Sequence, residues 1–224
     1  MSCCPSDDGN VAENSDLTHT DKKRQALILV DIQKDFCPGG ALAVFDGDQV
    51  VPVANRLAKQ FHDAGNLVVA TRDMHPANHG SFASQSRHLV GEVGELGGVA
   101  QVFWPDHCVY GTSGAEFHPD LHTELVNREF WKGMDAGIDS YSGFYDNNRQ
   151  NPTGLSVYLK NHGVTDVTIV GLATDYCVAA TARDALAEGF KTTIVAEGCR
   201  AVNVNPGDGE KALIELARLG VEVS

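Results

Sequence analysis

The chain has 224 residues, 42% of them hydrophobic and 21% charged, which is enough to bury one sizeable core and excludes disorder over most of the length. A formal net charge of -13 excludes nucleic acid and anionic membranes as expected partners, since both are held by basic patches. No apolar run is long enough to span a bilayer, and MSCCPSDDGNVAENSDLTHTDKK at the N-terminus has neither the basic start nor the apolar core of a secretory signal. The expectation is therefore a cytoplasmic protein whose cysteines are thiols.

Residues 1–24 are polar, acidic and aperiodic, and are expected to form a disordered tail. Within it Cys3 and Cys4 read as an exposed pair, and position 2 lacks the glycine that a myristoyl group would need. Ala26 to Val30 is a continuous apolar run, as in a strand buried on both faces. Val50 to Ala64 has helical spacing, with Val53, Leu57 and Phe61 on one face and Gly65 as the stop. Leu67 to Thr71 is a second buried strand, and residues 75–120, rich in Gly, His and Pro, read as loops. A third strand is expected within Glu124 to Trp131, and a helix from Thr153 to His162, ended by Gly163. A fourth strand follows over Asp166 to Gly171, and a helix over Thr174 to Glu188, ended by Gly189. Lys191 to Ala196 is a fifth strand, Asp208 to Leu219 a last helix ended by Gly220, and Val221 to Val223 a short sixth strand. Alternating strands and helices predict the α/β class: a three-layer α/β/α sandwich around a mostly parallel sheet of five or six strands. There is no internal repeat and no domain boundary after residue 25.

Open parallel sheets bind ligands beyond the carboxyl ends of their strands. The first strand delivers Asp31 there, the second Asp73 and His75, the third Lys132, and the fourth runs into the turn before Cys177. In GLATDYC, Thr174 is positioned to cap the helix, which puts Cys177 in the first turn, where free N–H groups and the macrodipole favour a thiolate. The same N–H groups suit an oxyanion, a contribution often worth roughly 3 kcal/mol. The alternative for Cys177 is a buried structural cysteine, which is also the reading for Cys37, Cys108 and Cys199. Asp31, ending a buried strand, either exchanges a proton with the thiol or serves as a loop cap or a partner of Lys132. Lys132 would lower the pKa of both partners, unless it is simply exposed. Asp35 reads as structural.

Asp73-Met74-His75 sets two ligand types on one side of an extended segment, His79 follows after a short turn, and His107 lies beyond in Trp104-Pro105-Asp106-His107. Three imidazoles and a carboxylate suit zinc, with iron or manganese as alternatives, and fit calcium poorly. His118 and His122 share helical spacing but belong to no predicted rim, and are read as surface residues.

Together the motifs LILVDIQKDFCPGGALAV, TRDMHPANHGSFAS, FWPDHCVYGTSGAEFHP, FWKGMDAGIDSYSGF and VGLATDYCVAATARDAL resemble the nicotinamidase branch of the isochorismatase-like cysteine hydrolases, over nearly all of residues 26–223. The resemblance implies one isochorismatase-like amidase domain over residues 25–224. Its activity would be hydrolysis of nicotinamide, and also of pyrazinamide, within NAD salvage. It implies catalytic Asp31, Lys132 and Cys177, metal ligands Asp73, His75, His79 and His107, and one divalent ion, zinc first. It further implies an oxyanion hole at Ala173 and Cys177, a cis peptide between Leu172 and Ala173, and a substrate pocket at Phe36, Trp104, Tyr141 and Leu172. Departures from the pattern are the N-terminal extension and the loop from Gln85 to Ala100, both expected to lie away from the chemistry. Self-association into a homo-oligomer is the default for such a chain.

Overall fold

A computed structural model describes Met1 and residues 24–224. Along the chain these fold into β1 (Arg24–Val30), α1 (Val50–Asp63), β2 (Leu67–Asp73), β3 (Val93–Leu96), β4 (Val99–Val102), β5 (Arg128–Lys132), α2 (Leu155–Asn161), β6 (Val164–Leu172), α3 (Ala179–Ala187), β7 (Lys191–Arg200), α4 (Asp208–Leu219) and β8 (Glu222–Val223). Arg24, assigned to the tail from sequence, opens β1; the remaining expectations for residues 2–23, Cys3 and Cys4 included, lie outside the described residues.

Six strands pair in the order β5-β2-β1-β6-β7-β8, every pair parallel. The cause is visible in β1, where Ala26, Leu27, Ile28, Leu29 and Val30 are all wholly buried. With no polar side chain to offer to water, neither face of that strand can be left open. Helix α1 packs over β1, β2, β6 and β7, and α3 packs on β7 and against α4. Pro52 falls in the first turn of α1, where its missing N–H costs no hydrogen bond. The result is the three-layer α/β/α sandwich, with six strands.

From β1 the chain steps outward to β2 and β5, returns to the other side of β1 as β6, and steps outward again. The carboxyl ends of β1 and β6 thus form the switch point at which open sheets leave a crevice. Val30 pairs with Gly171 there, and a Cβ at residue 171 would sit 2.1 Å from Val30 O. Only glycine lets the two strand ends close up in this way.

Some boundaries differ from those expected. The stretch read as loops contains an antiparallel hairpin, β3 with β4, turning at Gly97-Gly98. Strand β5 starts only at Arg128, because Thr123–Leu125 form a 3-10 turn, and it includes Lys132. The helix expected from Thr174 opens with one π turn, Thr174–Val178, and becomes α-helical at Ala179. Its N-cap is Ala173 with no side-chain cap, so Thr174 does not cap it. Among the described residues no helix is long and apolar enough to cross a membrane.

Candidate active site

Four adjacent strand ends supply the site. Asp31 follows β1 in the left-handed region, φ 47°, a conformation that few residues other than glycine adopt and that Asp tolerates better than most. Held strain of this kind clusters at functional positions. Asp73 ends β2 and Lys132 ends β5, and the two are register partners. Cys177 lies in the π turn beyond β6.

All four side chains are buried. Lys132 Nζ is 2.9 Å from Asp31 Oδ2, 2.5 Å from Asp73 Oδ1 and 3.5 Å from Cys177 Sγ, and it donates to Ser140 O at 2.8 Å. Thr71 Oγ1 donates to Asp31 Oδ1 at 2.6 Å. Asp31 Oδ2 faces the ammonium off the line of a hydrogen bond and has no other partner, so its lone pairs are available to a nearby proton. Asp31, Asp73 and Cys177 offer one carboxylate oxygen each and the sulfur within 4.8 Å of one another.

Burial dominates the electrostatics and revises one expectation. It raises the Cys177 thiol well above its usual range; Lys132 opposes this, and Asp31 and Asp73 add to it. Burial also raises Asp31, against the pull of Lys132. Lys132 therefore lowers both partners, as expected from sequence, but burial outweighs it, and Cys177 rests as a thiol rather than a thiolate. Burial works against the charge on Lys132 as well, yet Asp31 and Asp73 hold its ammonium well above the ordinary lysine range. At Asp73 burial likewise loses, and Lys132 and His75 keep the carboxyl far below the usual range.

Asp73 divides its oxygens between two neighbourhoods. Oδ1 faces Lys132, while Oδ2 lies 3.7 Å from His75 Nε2 and 4.0 Å from His107 Nε2. His75 Nδ1 donates to Gly133 O and His107 Nδ1 to Pro105 O, both at 2.8 Å. A carbonyl only accepts, so Nδ1 carries a proton in both rings, and the neutral form of each presents its lone pair at Nε2. Gly133 has a second role: a Cβ there would sit 2.4 Å from the His75 ring. Burial and then the charge of His75 hold His107 down at about 4, and the same two causes lower His79. At His75 burial is overcome by Asp73, which raises it.

The four predicted ligands do not form one tight cluster. Asp73, His75 and His107 lie within 4.8 Å of one another, and His79 joins through His75, in a second group with Asp139. The His75 and His79 rings stand 4.2 Å apart. His79 Nδ1 is 2.7 Å from Ser81 Oγ, and its buried Nε2 has no partner. An orphaned imidazole nitrogen beside two further imidazoles and a carboxylate fits a borderline divalent cation.

A cavity opens onto Cys177. Phe36, Trp104 and Tyr141 line it as expected, and Ala173, assigned from sequence to the oxyanion hole, lines it as well. Leu42, Asp139, Tyr176 and Val202 line it too and were not singled out from sequence. Tyr176 was the most accessible of these, since it adjoins Cys177; its ring stands edge-on to Trp104 at 4.9 Å. Leu172 is a correction: it is wholly buried in the core and the cavity meets Ala173 instead. The Leu172–Ala173 peptide is cis.

The remaining candidates stay outside. Asp35 accepts from the backbone N–H groups of Ala41 and Cys108. Cys37, Cys108 and Cys199 are buried free thiols, and burial pushes Cys37 up to about 11 and Cys199 to about 12. His118 and His122 each face a neighbouring carboxylate, Asp120 and Glu124, away from the cavity.

The isochorismatase domain matches residues 25–224. A nicotinamidase of Escherichia coli is 48% identical over 196 residues, 88% of this chain and 92% of that protein. A solved Acinetobacter baumanii nicotinamidase and pyrazinamidase superimposes with a TM-score of 0.85 at 44% identity, covering 90% of this chain and 95% of its own. A Pyrococcus horikoshii pyrazinamidase, crystallised in complex with zinc, gives a TM-score of 0.74 at 39% identity over 90% of this chain and 98% of its own.

Proposed function

The chain belongs to the isochorismatase domain family, and from that premise we propose that it hydrolyses nicotinamide to nicotinate and ammonia, and pyrazinamide likewise, as its relatives' names imply. One observation carries the proposal: Asp73 touches Lys132 with one oxygen and faces His75 and His107 with the other. A donor set suited to a pyridine-binding metal thereby adjoins a thiol suited to acyl transfer.

Asp73, His75 and His107, with His79 beside them, would hold one divalent ion, zinc by its donor types and by the Pyrococcus relative, which when bound supplies a Lewis acid for the pyridine nitrogen and so orients the ring. Phe36, Trp104 and Tyr141 wall the ring. As the Cys177 sulfur attacks the carboxamide carbon, its proton passes to Asp31 Oδ2, whose raised pKa makes it a competent base and then acid. Lys132 stays cationic and balances the carboxylates. The backbone N–H groups of Ala173 and Cys177 hold the tetrahedral oxyanion. Asp31 returns the proton to the leaving nitrogen, ammonia departs, and a thioester remains. Water then gives a proton to Asp31 and attacks the acyl carbon; nicotinate leaves and the Cys177 sulfur is reprotonated.

The test is ammonia release from nicotinamide by the purified protein, before and after chelation and with zinc, iron or manganese restored. Release that is lost on chelation and regained with metal is the expected outcome. Full release by metal-free protein would reject the pyridine–metal contact. No release under any metal condition would reject the assigned reaction.

A further inference from the structure

Gln101 reaches the candidate site from an element that the sequence left outside the chemistry. It is buried on β4 of the hairpin. Its Nε2 lies 2.7 Å from Val102 O, 2.8 Å from Asp139 Oδ2 and 3.1 Å from the Tyr141 hydroxyl. Reversing the amide would set Oε1 against a carbonyl and a carboxylate, so its neighbours fix which end donates. Trp104 Nε1 donates to the same hydroxyl at 3.2 Å. The Tyr141 oxygen thus faces two N–H donors, Trp104 and a Gln101 amide whose two hydrogens are shared among three acceptors, and its own O–H has no acceptor among the described residues. Burial, with the Asp139 charge behind it, raises the Tyr141 phenol well above its usual range, so it keeps that proton. Gln101 Oε1 meanwhile is buried without a partner, a cost that an apolar residue of the same size would avoid.

We propose that Gln101 is a positioning residue for the amidase reaction: with Trp104 it fills the acceptor side of the Tyr141 hydroxyl, so that the hydroxyl proton is offered into the cavity to an acceptor atom of the bound heteroaromatic carboxamide. This rests on the function proposed above. Gln101 acts through Tyr141 and touches neither the reacting carbon nor the thiol. The hairpin is in this way a specificity element, because a site built to donate to a substrate rejects analogues that lack the acceptor.

A double-variant cycle tests it. Gln101→Met and Tyr141→Phe should each raise KM for nicotinamide about three- to tenfold, the loss of one neutral hydrogen bond, with kcat within about twofold. Because both variants remove the same donor, the double variant should be no worse than Tyr141→Phe alone. Effects that multiply, or an unchanged KM in either single variant, would overturn the proposal. Gln101→Leu replaces Gln101→Met in the cycle if the latter does not fold. The same cycle is read through nicotinate binding, by quenching of Trp104 fluorescence. If the wild type binds nicotinate but releases no ammonia, the assigned reaction falls while Gln101 is still decided.

Discussion

Asp31, Lys132 and Cys177 stand on strand ends of the central sheet or in the turn directly beyond one, whereas His79 and His107 stand on the long connection between β2 and β5, with His75 just past the end of β2. The first group inherits its geometry from strand register, as the Asp73–Lys132 pairing shows. The second lies outside the sheet, with His75 held by a single bridge to Val109, and each ring is fixed through Nδ1, two by backbone carbonyls and one by the hydroxyl and N–H of Ser81. On the proposed function, the rigid half carries the bond-making groups and the loop half orients what they act on.

The sharpest break between the halves is Cys177→Ala. Turnover should fall by about 10⁴-fold or more, as when the nucleophile of an acyl-transfer set is removed, while metal content measured on the same sample stays unchanged. Wild-type turnover in this variant would rule out a thioester.

His75→Ala should act on the other half. Metal content should fall and KM for nicotinamide should rise by more than about tenfold, with little change in the rate at which iodoacetamide alkylates Cys177. Unchanged metal content would remove His75 from the ligand set.

The smallest effect is expected from a network outside both halves. Glu188 accepts hydrogen bonds from Tyr145, Ser156 and Lys160, and these, Lys160 first, hold its carboxyl down at about 2, against an ordinary 4.5. A depressed folded value stabilises the protein above the ordinary value, and that stability is lost as pH falls toward 2. Glu188→Gln should therefore lower Tm near neutral pH, with the gap from wild type closing between about pH 4.5 and 2. Activity and metal content should not move. A gap independent of pH would contradict the assignment.

Much of this was legible in the sequence because it follows from strand ends. An apolar run such as Ala26 to Val30 announces a central strand, and the residue that breaks it, Asp31, must then emerge at the rim. The hairpin carries a signal too, since four-residue strands flanking Gly97-Gly98 are a recognised turn pattern, but the glycines and histidines around it mask that pattern. Asp139, Val202 and Gln101 were not legible, since nothing in their local spacing marks them; only the packing of distant segments brings Asp139 and Val202 to the cavity and Gln101 against Tyr141. The thiolate at Cys177 failed for a different reason. A helix N-terminus and a lysine both argue for it, but desolvation depends on burial by the whole fold, and burial wins.

Asp73 is where the two halves meet, and Asp73→Asn compared with chelated wild type tests that most directly. Metal content should fall, and at fixed pH Cys177 should alkylate faster than in the chelated wild type, because the Asp73 charge that helps raise the thiol is gone. Loss of metal with an alkylation rate equal to that of the chelated wild type would mean that Asp73 serves only the imidazole half, and the joined site described here would be wrong.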